Sequence, residues 1–140
     1  MFEEIVSYNI AKLLDNTLYS EHSDKKYAAE DVEVTYDNYL GKETYGEGEL
    51  IENGDYVHGK YYMACTYGEL YDFLHEEYGI IISFTPAFTY AVNNNTAFYF
   101  TAYRINKENS SFDVFFEDKL YMYSFHLMFE TILKKILENG

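Results

Sequence analysis

"ACTYGELYDFLHEEYGIIIS", residues 64–83, decides the fold. Thr66 and Glu69 make a T-x-x-E capping box: the hydroxyl accepts from the backbone three residues on, and the carboxylate reaches back. Leu70, Phe73 and Leu74 recur at helical spacing, while Asp72, Glu76 and Glu77 fall on the other side. Gly79 stands where a left-handed residue ends a helix. The β-branched run "IIISF" then begins a strand suited to burial. The stretch predicts a helix over 66–78, acidic on its outer face, that runs directly into a strand.

Downstream, "IIISFTPAFTYAV" carries Pro86, which cannot donate to a ladder and so marks an edge, a bulge or a break. "NNNT" reads as a turn. "AFYFTAYRI" alternates, with Phe98, Phe100 and Ala102 on one side and Tyr99, Thr101 and Tyr103 on the other. "NKENSS" is the next turn and "FDVFFED" the third strand, so 80–117 reads as a β-meander. "SFHLMFETILKKILENG" predicts a helix over 124–138 with Ser124 as N-cap. Phe125, Met128, Phe129, Ile132, Leu133, Ile136 and Leu137 make its broad apolar face. Lys134 and Lys135 sit near the C-terminus, where the helix dipole favours cations. The C-terminal half is therefore α-β-β-β-α. Its economical solution is an α+β fold: a three-stranded antiparallel sheet with the helices packed on one face. Double-stranded-RNA-binding domains share that order, but the basic contacts they need are missing.

Upstream, "SYNIAKLLDNTL" predicts a helix over 7–16. Ser7 is the N-cap, and Ile10, Leu13, Leu14 and Ile5 form the apolar face. "YSEHSDKK" is a polar loop. Residues 27–63 contain the alternating "VEVTY", the turn signal "ENGDY" and five glycines between Tyr39 and Cys65. They read as short strands and Tyr/Gly-rich loops, and these strands are able to extend the meander. A chain of 140 residues suits one domain, 1–140.

Nearly half the chain is apolar, with 17 Tyr, 11 Phe and no Trp, so a packed core is available. The net charge is −14. Direct binding of DNA or RNA normally needs a basic patch, and an anionic membrane attracts basic segments, so both are disfavoured. The charge is uneven: the first 60 residues hold 14 acids against five bases. Solubility alone accounts for such a charge, and so does a negative face for a basic partner. Apolar runs fall far short of the roughly 20 residues a membrane span needs. "MFEEIVSYNIAKLLDN" lacks the basic and apolar regions of a signal peptide, and the lone Cys65 precludes an intramolecular disulfide. The expectation is a cytoplasmic protein.

No enzyme signature emerges. His22, His58, His75 and His126 do not pair at i, i+4, and neither H-E-x-x-H nor C-x-x-C occurs. "EHSD" at 21–24 reads as a solvated loop before it reads as a metal cluster. Cys65 adjoins a helix N-terminus, which can depress a thiol pKa, but no positioned base is legible, and a small buried apolar residue is the better reading. "GKETYGEG" lacks the spacing and the strand–helix context of a P-loop. No catalytic residue, metal or cofactor is expected.

"VSYNIAKLLDNTLYSEHSDKKY", "CTYGELYDFLHEEYGIIISF" and "YMYSFHLMFETILKKILENG" resemble, in order, a group of small uncharacterised proteins of phages and prophages of gut bacteria. Members show an early I-A-K-L-L helix and Tyr-rich turns. They then have a T-x-x-x-L-x-x-W-L-R-E-x-x-x-I stretch, two or three strands and a final helix. Here Phe73 replaces the usual Trp and His75 the Arg. The resemblance implies a phage origin, hence the cytoplasm of a bacterial host, and little about activity.

The leading expectation is a small acidic binding protein that inhibits or modulates a host protein with a basic surface. Nucleic-acid mimicry against a defence nuclease, in the manner of an anti-CRISPR, is one form of it. The candidate partner-binding residues are Glu30, Asp31, Glu33, Asp37, Glu43, Glu47, Glu49, Glu52 and Asp55, interleaved with Tyr36, Tyr39, Tyr45 and Tyr56. Tyr supplies contact area at low entropy cost. The alternatives are an accessory homo-oligomer joined through Tyr-rich edge strands, and a small-molecule or nucleotide sponge with an aromatic pocket.

Overall fold

The computed structural model describes residues 4–17, 19, 25–37, 39–52, 54–87, 97–106, 108–109, 111–121 and 125–139. The fold is α+β, as the sequence predicts. The chain divides into two compact units, Met1–Tyr67 and Gly68–Gly140.

The first unit opens with helix α1 (Tyr8–Leu14). The Ser7 side chain accepts from the Ile10 N–H at 3.3 Å, which makes it the N-cap. Ile10, Ala11 and Leu14 are buried, and Leu13 only half so. The helix stops two residues short of expectation. Asn16 and Thr17 donate to the Leu13 and Leu14 carbonyls instead, and the Thr17 hydroxyl also bonds Leu14 O at 2.6 Å. Ile5 lies outside the helix, in an isolated antiparallel bridge to Thr66.

Strands β1 (Lys26–Ala28), β2 (Val32–Tyr36), β3 (Tyr39–Tyr45), β4 (Leu50–Ile51), β5 (Tyr56–His58) and β6 (Tyr61–Met63) follow. They form two antiparallel sheets, ordered β4-β1-β6 and β3-β2-β5. In each sheet the middle strand comes from 26–36, one neighbour from 39–51 and the other from 56–63. The pair of sheets is thus one three-stranded ribbon folded over at a corner. Backbone bonds carry the pairing across it: Ala28 N to Glu49 O (3.0 Å), Gly48 N to Ala28 O (2.8 Å) and Ala29 N to Lys60 O (3.0 Å). Glycines make the fold-over possible. Gly48 and Gly59 have φ of 85° and 129°. A Cβ on Gly59 would stand 2.6 Å from Val32 Cγ1.

Inside the corner sit Ala28, Val32, Val34 and Ile51, with Tyr36, Tyr45 and Val57 packed against them. The alternation of "VEVTY" is what aims Val32 and Val34 inward and leaves Glu33 exposed. Among the described residues these strands pair with one another, in two sheets separate from the C-terminal meander.

Helix α2 (Tyr67–Tyr78) begins one residue after Thr66. Tyr67, Leu70, Phe73 and Leu74 are buried, while Glu69, Asp72, His75, Glu76 and Glu77 are exposed. Gly79 ends it at φ 65°, its N–H on His75 O at 3.0 Å. In the second unit β7 (Ile80–Ala87), β8 (Ala97–Asn106) and β9 (Ser111–Tyr121) form the expected antiparallel meander, in that order. Pro86 lies on β7, an edge strand, where its missing donor is tolerated. Ile80, Ile82 and Ala102 share the buried face, with Ile82 opposite Ala102. Helix α3 (Phe125–Asn139) buries Met128, Phe129, Ile132, Leu133 and Ile136. The Ser124 cap, the "NNNT" turn and residues 21–24 lie outside the described residues.

Candidate functional site: an acidic aromatic cleft

The row of inward side chains on β2 runs Val32, Val34, Tyr36. Cross-strand register puts Tyr45 opposite Val32 and Glu43 opposite Val34, so both project from β3 toward the same side as the valines. The apolar row ends at Tyr36, and a cleft of about 340 Å³ there is lined by Tyr36, Glu43, Tyr45, Leu50 and Glu52. Four of the thirteen residues nominated from sequence meet there. Leu50 was not among them; its signal was its place beside Ile51 in a pair flanked by Glu49 and Glu52.

The cleft has a definite polarity. The Tyr45 hydroxyl donates to Glu43 Oε2 at 2.7 Å. That bond, with partial desolvation and the Glu43 charge, pushes the Tyr45 hydroxyl pKa up to about 12. Tyr36 is raised too, first by desolvation and then by the Glu43 charge. Both phenols therefore hold their protons at neutral pH and present rings, while the net charge of the walls comes from Glu43 and Glu52.

The other nominated residues do not line the cleft, although the Asp55 charge acts on Tyr36 and the Glu49 charge on Tyr45. At the far turns, Asp55 Oδ2 accepts from the Asp37 N–H at 2.6 Å, and Asp55 N donates to Thr35 O. The Tyr56 hydroxyl pKa is raised, chiefly by its hydrogen bond to Asp37. At the corner, Glu30 Oε1 accepts from Lys60 N at 2.8 Å and Glu47 Oε1 from the Tyr8 hydroxyl at 3.2 Å. Asp31 and Glu49 both flank Gly46. Glu33 is on the outer face of β2, 3.0 Å from Lys42 Nζ. Tyr39 pairs with Tyr36 across a bulge. The nine carboxylates are thus spread over several places on the first unit, and several of them cap turns and corners.

Of the histidines, His58 Nε2 lies 3.1 Å from Thr35 Oγ1, and His75 and His126 are exposed. Among the described residues no group of three or more His, Cys, Asp or Glu stands ready to hold a metal, and no helix is long and apolar enough to cross a membrane. Cys65 is fully buried, and its carbonyl accepts from Val6 N at 2.9 Å.

Fold and site together define an α+β protein whose first unit is a folded-over antiparallel ribbon with an anionic, tyrosine-walled cleft. Comparison with family models, curated proteins and solved structures returns no match.

Proposed function

We propose that the chain is a non-catalytic binding protein that engages a basic surface of another protein through its first unit. The cleft carries this reading: two carboxylates and two protonated tyrosines converge at the open end of a small core. Rings of this kind attract cations, and carboxylates beside them set the sign of the ligand. The resemblance to phage and prophage proteins supports a bacterial host as the source of the partner. Nucleic-acid mimicry toward a defence nuclease is the narrower form of the same reading. It would use all nine carboxylates and not the cleft alone.

The test is a pull-down from host lysate with tagged protein at low and high salt, repeated with Glu43→Gln/Glu52→Gln. The expected result is a basic partner that is retained at low salt, reduced at high salt and lost with the double variant. Contacts between exposed charges are screened beyond roughly 10 Å at 0.1 M salt, which is why the two salt arms differ. Capture that is indifferent to salt and to both substitutions refutes the reading. Competition by a DNA duplex for the captured partner distinguishes mimicry from simple docking.

A further inference from the structure

We propose that the cleft takes the primary ammonium of a lysine side chain presented by the partner. This rests on the reading of the chain as a binding protein and gives its site an occupant. Size is the first argument. At about 340 Å³ the cleft is at the lower end of the roughly 300–1,000 Å³ of small-molecule sites, room enough for one side chain. Chemistry is the second. Leu50, Tyr36 and Tyr45 offer apolar surface to an alkyl stem, and Glu43 and Glu52 attract the charged head. An anion would meet the two carboxylates of the lining, Glu43 and Glu52.

A third observation concerns the Glu52 wall itself. Lys25 Nζ already stands 3.8 Å from Glu52 Oε1, so the chain's own ammonium is drawn to one wall. That pair is long and exposed, with 40% and 63% of the two side chains accessible. Exposed pairs of this kind are weak, so an incoming ammonium can take the place of Lys25. A primary ammonium also brings three N–H donors for the carboxylates, whereas a trimethylated one brings none.

The test titrates the full 140-residue chain with N-acetyl-lysine methylamide, its Nε-trimethyl form and the norleucine analogue, following the Tyr36 and Tyr45 ring signals by NMR. The lysine probe should give saturable shifts, the trimethyl probe weaker binding and norleucine none. Glu43→Gln/Glu52→Gln should weaken the lysine probe at least about tenfold, because both charged walls are removed. Lys25→Gln should strengthen it, by about threefold, because the internal competitor is gone. Equal binding of norleucine, tighter binding of the trimethyl probe, an unaffected double variant or no saturable shift each overturn the proposal. A partner still captured from lysate in those cases shows that recognition uses another surface of the protein, so the two readings fail separately.

Discussion

Tyr45 and Glu43 are two residues apart on one strand, so their side chains share a face, and the hydroxyl reaches the carboxylate at 2.7 Å. The consequence is measurable. Tyr45 should ionise near pH 12, about two units later than an ordinary tyrosine, and Glu43→Gln should return it toward 10. An ultraviolet titration of the phenolate band, compared with Tyr45→Phe, reads this directly. Because the folded-state pKa is raised, the stabilisation is present in full below pH 10. It is lost as pH rises from 10 to about 12, where the unfolded chain has given up the proton and the folded chain has not. Gly59 is the other residue on which the first unit turns. Its φ of 129° disfavours any side chain, and a Cβ would press on Val32. Gly59→Ala should cost roughly 2–3 kcal/mol in urea unfolding; a loss under about 0.5 kcal/mol would mean that the corner does not depend on glycine.

Elements were legible in proportion to how much of their logic is local. Helix α2 is specified by Thr66, its apolar stripe and Gly79, all within fourteen residues, and its bounds came out within one residue of expectation. Gly79 also touches Ile105, whose N–H bonds Gly79 O, so helix end and sheet are fixed together. Gly79→Ala should lose about 1–2 kcal/mol from the left-handed conformation, without a steric clash, since the nearest atom is 3.5 Å away. Thermal melts followed by circular dichroism measure it. Strands β1, β4, β5 and β6 are two or three residues long. Such strands carry almost no period-2 signal, and their pairing is settled by the corner and by bonds such as Ala28 N to Glu49 O, 21 residues apart. The nominated site was legible as a composition and not as a place. Charge and tyrosine content pointed to 30–56, but only cross-strand register sorts Glu43 into the cleft and Glu33 onto the opposite face beside Lys42.

Across the whole molecule the net charge of −14 sets two effects against each other. Like charges repel within a compact chain, and this destabilises it. The ion pairs found among the described residues are Lys25–Glu52, Lys42–Glu33 and Lys134–Glu130, and apart from Glu130 their side chains are largely exposed. Exposed pairs contribute roughly 0–1 kcal/mol each, too little to offset a net excess of this size. Salt should therefore raise stability, because it screens repulsion that outweighs the attraction. The same salt should weaken capture of a basic partner, whose attraction is screened in turn. The expected outcome is a thermal midpoint that climbs between 20 and 300 mM sodium chloride (roughly 20 and 6 Å of screening length) while partner affinity falls. Opposite slopes in the two measurements are the signature of an acidic surface retained for binding despite its cost in stability. A midpoint that falls with salt would show that the ion pairs dominate, and the acidic excess would then need a structural explanation.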